Sequence, residues 1–407
     1  MQNQLSLFNE IINAYSHGET PISNQTLYRK VTAALSLGDD VLNEKTLVGK
    51  SGIGYNLFKR KVRWFQQSLK QAGILERVAG KRGEWCLTKT NKDDLDKILP
   101  NLSVIGFSTK LGVAIIGYSE SVFSKLNEPI FLVVTSPPYP LANPRKYGNV
   151  KEAEYVDWLC ETMAPVIKNL APGGSICLNL GVDVFLQGTP SRSMYIERLL
   201  LALHDRFSLS LMDRLIWNNP SKPPGPIAWA SKQRVQLGVG YEFILWMTND
   251  PMKVFSNNQR ILQPHSEKHL EFVMNGGAKK AAIKSDGAYR LKEGSYSNQT
   301  AGRIQRNIIT MGHACSSNRA YRKNAIEQGY EPHGATMPLK LAKLLIEFLT
   351  EPGQLVVDNM AGSITVGEAA EITGRPWICT DPVVDYVMGG AYKFRDSVGF
   401  KQGIIFS

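Results

Sequence analysis

Gln354-Leu-Val-Val-Asp358-Asn359-Met360-Ala361-Gly362-Ser363-Ile364-Thr365-Val366-Gly367 decides the fold. A short apolar run, long enough for a buried strand, enters a loop containing Gly362, and a helical pattern follows. Gly362 lets the backbone approach a ligand closely, and the helix start offers free N–H groups. About twenty residues on, Trp377-Ile378-Cys379-Thr380-Asp381 reads as a second strand ending on an acid, which is placed to bind ribose hydroxyls. This strand–helix–strand unit predicts an α/β domain holding a nucleoside-bearing cofactor. The G-x-G-x-x-G string of dinucleotide sites is absent.

The surrounding sequence extends the pattern. GVAIIG (112–117), FLVVTS (131–136), GSICLNLG (174–181) and FILWMT (243–248) are further buried-strand candidates. Amphipathic stretches such as Tyr155–Leu170 and Leu339–Leu349 lie between them. The alternation predicts a largely parallel sheet with ligands at the carboxyl ends of its strands. From about Asn249 to Glu331 the chain becomes basic and rich in Gly, Ser and Asn. That interval is too long for a connecting loop, which marks it as a functional insertion.

A second motif carries chemistry. The strand Phe131-Leu-Val-Val-Thr runs straight into Ser136-Pro137-Pro138-Tyr139. Two prolines fix φ and remove two backbone donors, so a rigid turn offers a hydroxyl, bare carbonyl oxygens and an aromatic face. That set suits an exocyclic amino group on a planar base. Ser136 and the Pro137 carbonyl accept its N–H bonds, and Tyr139 stacks on the ring. The competing reading is a strand-ending diproline turn with a packed tyrosine.

Residues 1–100 have a different texture. Leu5, Phe8, Ile11, Ile12 and Tyr15 recur at helical spacing, and Ser23 is placed to cap a second helix through Leu27, Val31 and Leu35. A third helix fits Leu57 to Ala72, closed by Gly73, and ILERVAGKRGEWCLTK (74–89) reads as a β-hairpin. Three helices and a hairpin are the order of a winged helix-turn-helix. Between Lys50 and Arg82, nine cations face one acid, Glu76, a local excess of nine minus one, +8. Lys59, Arg60, Arg63, Lys81 and Arg82 are the candidate phosphate contacts, against the alternative of a merely solvated basic face.

Composition sets the outer limits. The chain of 407 residues carries a formal charge of +11, which calls for a polyanionic partner, and its length suits two or three domains. No apolar run reaches the ~20 residues of a membrane helix, and the N-terminus lacks signal-peptide features. Cys86, Cys160, Cys177, Cys315 and Cys379 are scattered, which argues against a disulfide framework or a Cys-rich zinc site and fits the cytoplasm. Of the histidines, only His265 and His269 are spaced like ligands, without a third donor near them in the sequence, so no metal is expected. Trp217 and His313 read as structural residues.

Taken in order, these stretches resemble a known family. VAIIGYSESV, LVVTSPPYPLANPRKYGN, EYVDWLCETMAPVIKNLAPGGSICLNLG, IWNNPSKPPGPIAW, YEFILW, HGATMPLKL, LVVDNMAGS and GRPWICTDPVVDY look like the permuted motif series of β-class amino-methyltransferases acting on DNA. The likeness is to the cytosine-N4 type found with type II restriction systems, and it spans about residues 105–395. It implies a Rossmann-like sheet (105–248 and 332–400) that binds S-adenosylmethionine, with 249–331 as target-recognition region. By the same resemblance, Asp358, Gly362 and Ser363 line the methionine side of the cofactor, with Asn359 and Met360 between them. Asp381 holds the ribose, while His333, Thr336 and Pro338 lie in a segment folding over the cofactor. Asn218, Ser221 and Lys222 meet double-stranded DNA near a flipped base.

The resemblance also implies a cognate restriction endonuclease acting on the same site. Asn359-Met360 and Tyr118 differ from the family's usual residues. Ser before Pro-Pro-Tyr favours cytosine N4 over adenine N6, and the lack of a Pro-Cys pair disfavours ring-carbon methylation. The alternatives are an adenine-N6 enzyme and a catalytically weak DNA-binding regulator.

Overall fold

In the computed structural model the described residues are 7, 10–11, 14–15, 21–47, 54–71, 75–78, 80–87, 97–98, 102–141, 150–284 and 286–402. Leu5, Phe8 and Ile12 of the first expected helix, Gly73, and residues 142–149 lie outside them. The dominant element is a ten-stranded sheet. Its strands in chain order are β1 (Val104–Ser108), β2 (Gly112–Ile116), β3 (Ile130–Thr135), β4 (Leu170–Gly181), β5 (Ser210–Asn218), β6 (Tyr241–Thr248), β7 (Ile308–Thr310), β8 (Val356–Asp358), β9 (Trp377–Asp381) and β10 (Lys401–Gln402). Across the sheet they are arranged β7-β5-β6-β4-β3-β8-β9-β2-β1-β10.

The expectation of a largely parallel sheet holds for the centre, and at the margins only β7 pairs parallel, with β5. β4, β3, β8, β9 and β2 are mutually parallel, while β6 is antiparallel to both β4 and β5, and β1 to both β2 and β10. The central strands read as continuous apolar runs because both sheet faces are covered. Successive residues serve opposite faces: Leu132, Val134, Val356, Ile244 and Trp246 join one core cluster, and Val133, Val357, Leu245 and Met247 join the other.

Helices cover each face. α1 (Glu152–Lys168) opens with Glu152 and Glu154 and closes on Lys168, charges that complement the helix dipole. It buries Tyr155, Leu159, Met163 and Val166 together with α2 (Tyr195–Phe207). On the other face α4 (Leu339–Leu349) buries Leu341, Leu345 and Leu349, and α5 (Thr365–Ile372) contributes Val366 and Ala369.

The basic insertion does not stand wholly apart. Arg260 near its start is tied to Thr350 O (2.9 Å) and Glu351 (3.1 Å). Its later part returns to the sheet as β7, parallel to β5, and as α3 (Ser316–Glu327), which packs on α6 (Val384–Gly390).

The first hundred residues build a separate small core from Ile11, Tyr15, Leu27, Val31, Phe65, Leu69, Leu75 and Trp85. Ser23 caps the helix Asn24–Ala34 by accepting from Thr26 N, as its position suggested. The helix Leu57–Gln71 follows, then Leu75–Arg77 and Glu84–Leu87 pair antiparallel, with Ile22–Ser23 adding a third strand. Residues 97–98 already belong with the large sheet: Lys97 bridges to Val383, and Ile98 N donates to Pro382 O.

Candidate functional site

The parallel centre brings the carboxyl ends of β2, β3, β4, β8 and β9 to one edge. Antiparallel pairing carries the start of β6 and the end of β5 to that same edge, because Glu242 lies opposite Gly181 and Trp217 opposite Glu242. A cleft of about 700 Å³ opens there. Ser136, Pro137, Pro138 and Tyr139 line it together with Asn359, Met360 and Asp381, and His333 and Thr336 add to the wall. The diproline corner and the loop after β8 therefore share one cavity.

At the diproline end a polar network surrounds Tyr139. Its hydroxyl lies 3.2 Å from Ser136 Oγ and donates to Glu242 Oε2 at 3.0 Å. Asn179 Nδ2 donates to the same carboxylate oxygen at 2.8 Å and to the Tyr139 hydroxyl at 3.1 Å. The other Glu242 oxygen pairs with Lys222 Nζ at 3.1 Å, both side chains being largely buried. Burial and the adjacent Glu242 charge push the Tyr139 phenol well above its ordinary range, so it stays a neutral donor. A Cβ on Gly181 would come within 2.6 Å of the Tyr139 ring, so the residue must be glycine for the ring to sit there.

Trp217 and His313 form part of the same wall, stacked with ring centroids 6.2 Å apart. Trp217 Nε1 donates to Met311 O, while burial and the nearby Arg322 and Lys222 charges hold His313 below its ordinary pKa. Ser221 Oγ donates to Asn219 Oδ1 and accepts from His313 N.

At the opposite end, the Asp381 carboxylate accepts Gly362 N at 2.8 Å and Val383 N at 2.9 Å. Burial raises its pKa to about 6. Gly362 adopts φ +48°, and a side chain there would meet the His333 ring at 3.2 Å. Asn359 Nδ2 donates to Ser119 Oγ at 3.0 Å. Asn359 Oδ1 and Thr336 Oγ1 are buried without a hydrogen-bond partner among the described residues. Such orphaned atoms on a cleft wall fit a polar ligand.

Several expected contacts fall elsewhere. Asp358, Gly362, Ser363 and Pro338 are not among the lining residues. Asp358 is buried beneath the loop, where it accepts Met360 N at 3.2 Å and burial raises its pKa to about 7. Ser363 Oγ contacts Thr365 Oγ1 at 3.0 Å, and Pro338 starts α4. Lys222, expected to face DNA, spends its charge on Glu242. Asn218 bonds Thr310 across to β7 at 3.2 Å.

In the first hundred residues, the head of the chain, Arg60, Arg63, Lys81 and Arg82 are exposed and Lys59 is half-buried. Lys59 and Arg60 lie over the Tyr28 and Tyr55 rings, at 5.7 and 5.4 Å. Lys81 pairs with Glu84 at 3.4 Å.

Sequence reasoning missed Asn179, Glu242, Trp217 and His313 as site residues. Two signals were present. Asn179 is a polar residue inside the apolar run GSICLNLG, and Glu242 opens an apolar strand two residues after a glycine. Nothing in the sequence pairs Trp217 with His313.

Comparison with known proteins agrees with the geometry. The family model described as DNA methylase (N6_N4_Mtase) matches residues 130–388, and the Mrr N-terminal domain matches residues 5–97. The chain is 32% identical over 292 residues to the type II methyltransferase M.PvuII of Proteus hauseri, covering 72% of this chain and 86% of that protein. It is 23% identical to the DNA adenine methyltransferase YhdJ of Escherichia coli K12, over 65% of this chain and 75% of that one. Among solved structures, PvuII DNA methyltransferase (cytosine-N4-specific) superposes with a TM-score of 0.54 at 30% identity, covering 72% of this chain and 89% of that chain. A cleft that joins a Ser-Pro-Pro-Tyr corner to an Asp-terminated strand, within a match of this extent, makes the chain a member of the DNA methylase family.

Proposed function

We propose that this chain moves a methyl group from S-adenosylmethionine to the exocyclic N4 of a cytosine flipped out of duplex DNA. The observation that carries the reading is the single cleft shared by Ser136, Pro137 and Tyr139 with Asn359, Met360 and Asp381. The cytosine-N4 name of its relative at 30% identity supports the choice of base.

The residues fit the cofactor. Asp381 has lone pairs left for ribose hydroxyls after its two backbone N–H bonds, and Asn359 Oδ1 and Thr336 Oγ1 await partners. When bound, S-adenosylmethionine supplies an activated methyl group on its sulfonium. His333 and Thr336 close the cleft above it, and Asp358, Gly362, Ser363 and Pro338 hold that wall in shape.

At the other end, Ser136 Oγ and the Pro137 carbonyl accept the two N4 hydrogens, and Tyr139 stacks on the base. Holding both N–H bonds lets the nitrogen become more tetrahedral and direct its lone pair out of the ring plane. As N4 gains the methyl group it gives up one of these two protons to solvent, leaving a neutral amine. Orientation in a dry cleft then does most of the work. No enzyme nucleophile is needed, and no cysteine is among the residues lining the cleft.

The Ser-containing corner can hold an adenine amino group too, and the likeness to the adenine enzyme YhdJ keeps that reading as the alternative. Mass spectrometry of nucleosides from DNA treated with the purified protein decides between them. N4-methylcytosine is expected; N6-methyladenine overturns the choice of base. Ser136→Ala should slow single-turnover transfer about 10²-fold while S-adenosylmethionine binding persists. Full activity in that variant rejects the assigned corner.

In the same reading, residues 1–100 are a winged helix-turn-helix contacting duplex phosphates through Lys59, Arg60, Arg63, Lys81 and Arg82. Residues 249–331 supply target recognition. The modified site protects cytoplasmic DNA from a cognate restriction endonuclease. The match to the Mrr N-terminal domain and the basic face of helix Leu57–Gln71 support the first part. No helix among the described residues is long and apolar enough to cross a membrane.

A further inference from the structure

The connection between β5 and β6 is far longer than a hairpin needs. Neighbouring antiparallel strands are commonly joined by about two to five residues. Here Asn218 and Tyr241, which pair directly, are separated by residues 219–240. The root of this arm belongs to the cleft, since Ser221, Lys222 and Pro223 line it. Two backbone bonds staple the root, Asn219 N to Gly240 O and Val239 N to Gly225 O, each 2.8 Å. Gln236 Nε2 ties the arm to Pro190 O, in the segment between β4 and α2, at 3.1 Å.

Beyond the staples the arm displays apolar side chains to solvent. Leu237 is 86% exposed, Ile227 62% and Val235 57%. An isolated exposed aliphatic is ordinary, but three on one anchored arm beside a cleft are not. The arm contains no acid and carries Lys232 and Arg234, both exposed, next to these residues. Cations flanking apolar tips suit a polyanion with an apolar interior, a stacked duplex.

We propose that Leu237 is a wedge that enters the DNA and fills the space vacated by the target base, with Lys232 and Arg234 gripping the neighbouring phosphates. The proposal rests on reading the cleft as the pocket for a flipped base, and adds the element that keeps that base out. Flipping costs a few kcal/mol of lost stacking and pairing. An aliphatic side chain in the gap recovers part of the stacking and blocks return of the base.

The test compares two duplexes carrying the site found by sequencing DNA from expressing cells. One is fully paired; the other has an abasic position opposite the target, so that the base is already released. Leu237→Ala in the full-length protein should slow single-turnover methylation of the paired duplex about tenfold or more, and restore most of the rate on the abasic-opposed one. Leu237→Met should behave nearly as wild type on both. Val398→Ala is the control, because Val398 is 72% exposed and its carbonyl accepts from Lys110 N just before the start of β2, at the sheet edge opposite the cleft. It should leave both rates unchanged. An equal loss on both duplexes, or no loss on either, overturns the wedge. Wild-type protein inert on both duplexes instead sinks the methyltransferase reading beneath it.

Discussion

Glu242→Gln keeps the shape of the side chain and removes its charge, leaving the Lys222 ammonium without its anion. One Glu242 oxygen faces Lys222 Nζ at 3.1 Å, and the other accepts from Asn179 at 2.8 Å and Tyr139 at 3.0 Å. All of these neighbours are donors. An amide in the same place must turn its NH2 toward at least one of them, so donor meets donor whichever way it flips. Removing one partner of a buried pair costs about 3–5 kcal/mol. Here Lys222 and Glu242 keep 16% and 18% exposure, so water recovers part, and about 2 kcal/mol is the expected loss. Lys222→Met should cost a similar amount, and the double variant less than the sum. The coupling energy from urea unfolding of the four proteins should be about 1–3 kcal/mol. Single-turnover transfer should fall with it in Glu242→Gln, because Tyr139 loses its charged acceptor, while cofactor affinity stays constant. Additivity within about 0.5 kcal/mol would refute the pair as a structural unit of the site.

Gly181→Ala forces a Cβ to 2.6 Å from the Tyr139 ring. It should slow transfer about tenfold or more and cost about 1–3 kcal/mol in thermal unfolding, with S-adenosylmethionine titration unchanged. An unaffected rate would mean that the ring has room to move. Burial raises Asp358 to about 7 and Asp381 to about 6 from the ordinary 3.8. The folded protein therefore binds more protons than the unfolded chain between these values. Their contribution to stability is complete below about pH 4 and is lost as pH rises through 6 and 7, by at most about 1.4 kcal/mol per unit for each group. Asp381→Asn should flatten this trend in urea midpoints measured across pH, and a steeper trend would contradict it. With ribose hydroxyls donating to the ionised Asp381 as proposed, cofactor affinity should run the other way, weakening as pH falls below about 6. On the head, Arg60→Ala with Arg63→Ala should lower the slope of log affinity against log salt by about 0.9 per lost phosphate contact. An unchanged slope in DNA-binding titrations would remove that face from the interface.

Much of the cleft was legible in advance because its determinants are local. Ser-Pro-Pro-Tyr follows its own strand within one turn, so its chemistry is written in adjacent residues. Asp381 closes an apolar run, and a strand-end acid points to one sheet edge wherever that strand pairs. The helix cap at Ser23 and the extent of Leu339–Leu349 were readable for the same reason. By contrast β5 went unrecognised, because SLMDRLIWN mixes Asp213 and Arg214 into a half-covered strand near the sheet's margin. The antiparallel flanks were likewise hidden, since a run such as FILWMT has the same apolar character in either direction.

The sequence by itself determined the alternation of strands and helices, the diproline corner, the acid-closed strand and the basic head. Each depends on residues within a few positions of one another. Tertiary structure alone decided which carboxylate stands beside Tyr139. Glu242 is more than a hundred residues from that tyrosine and reaches it because β6 runs antiparallel to β4, opposite Gly181. It also decided that Lys222 is spent internally, that Asp358 is buried out of the cleft lining, and that His313 stacks on Trp217. Pairing direction and register are non-local quantities, set by how whole sheet faces are covered, and no short stretch of chain encodes them.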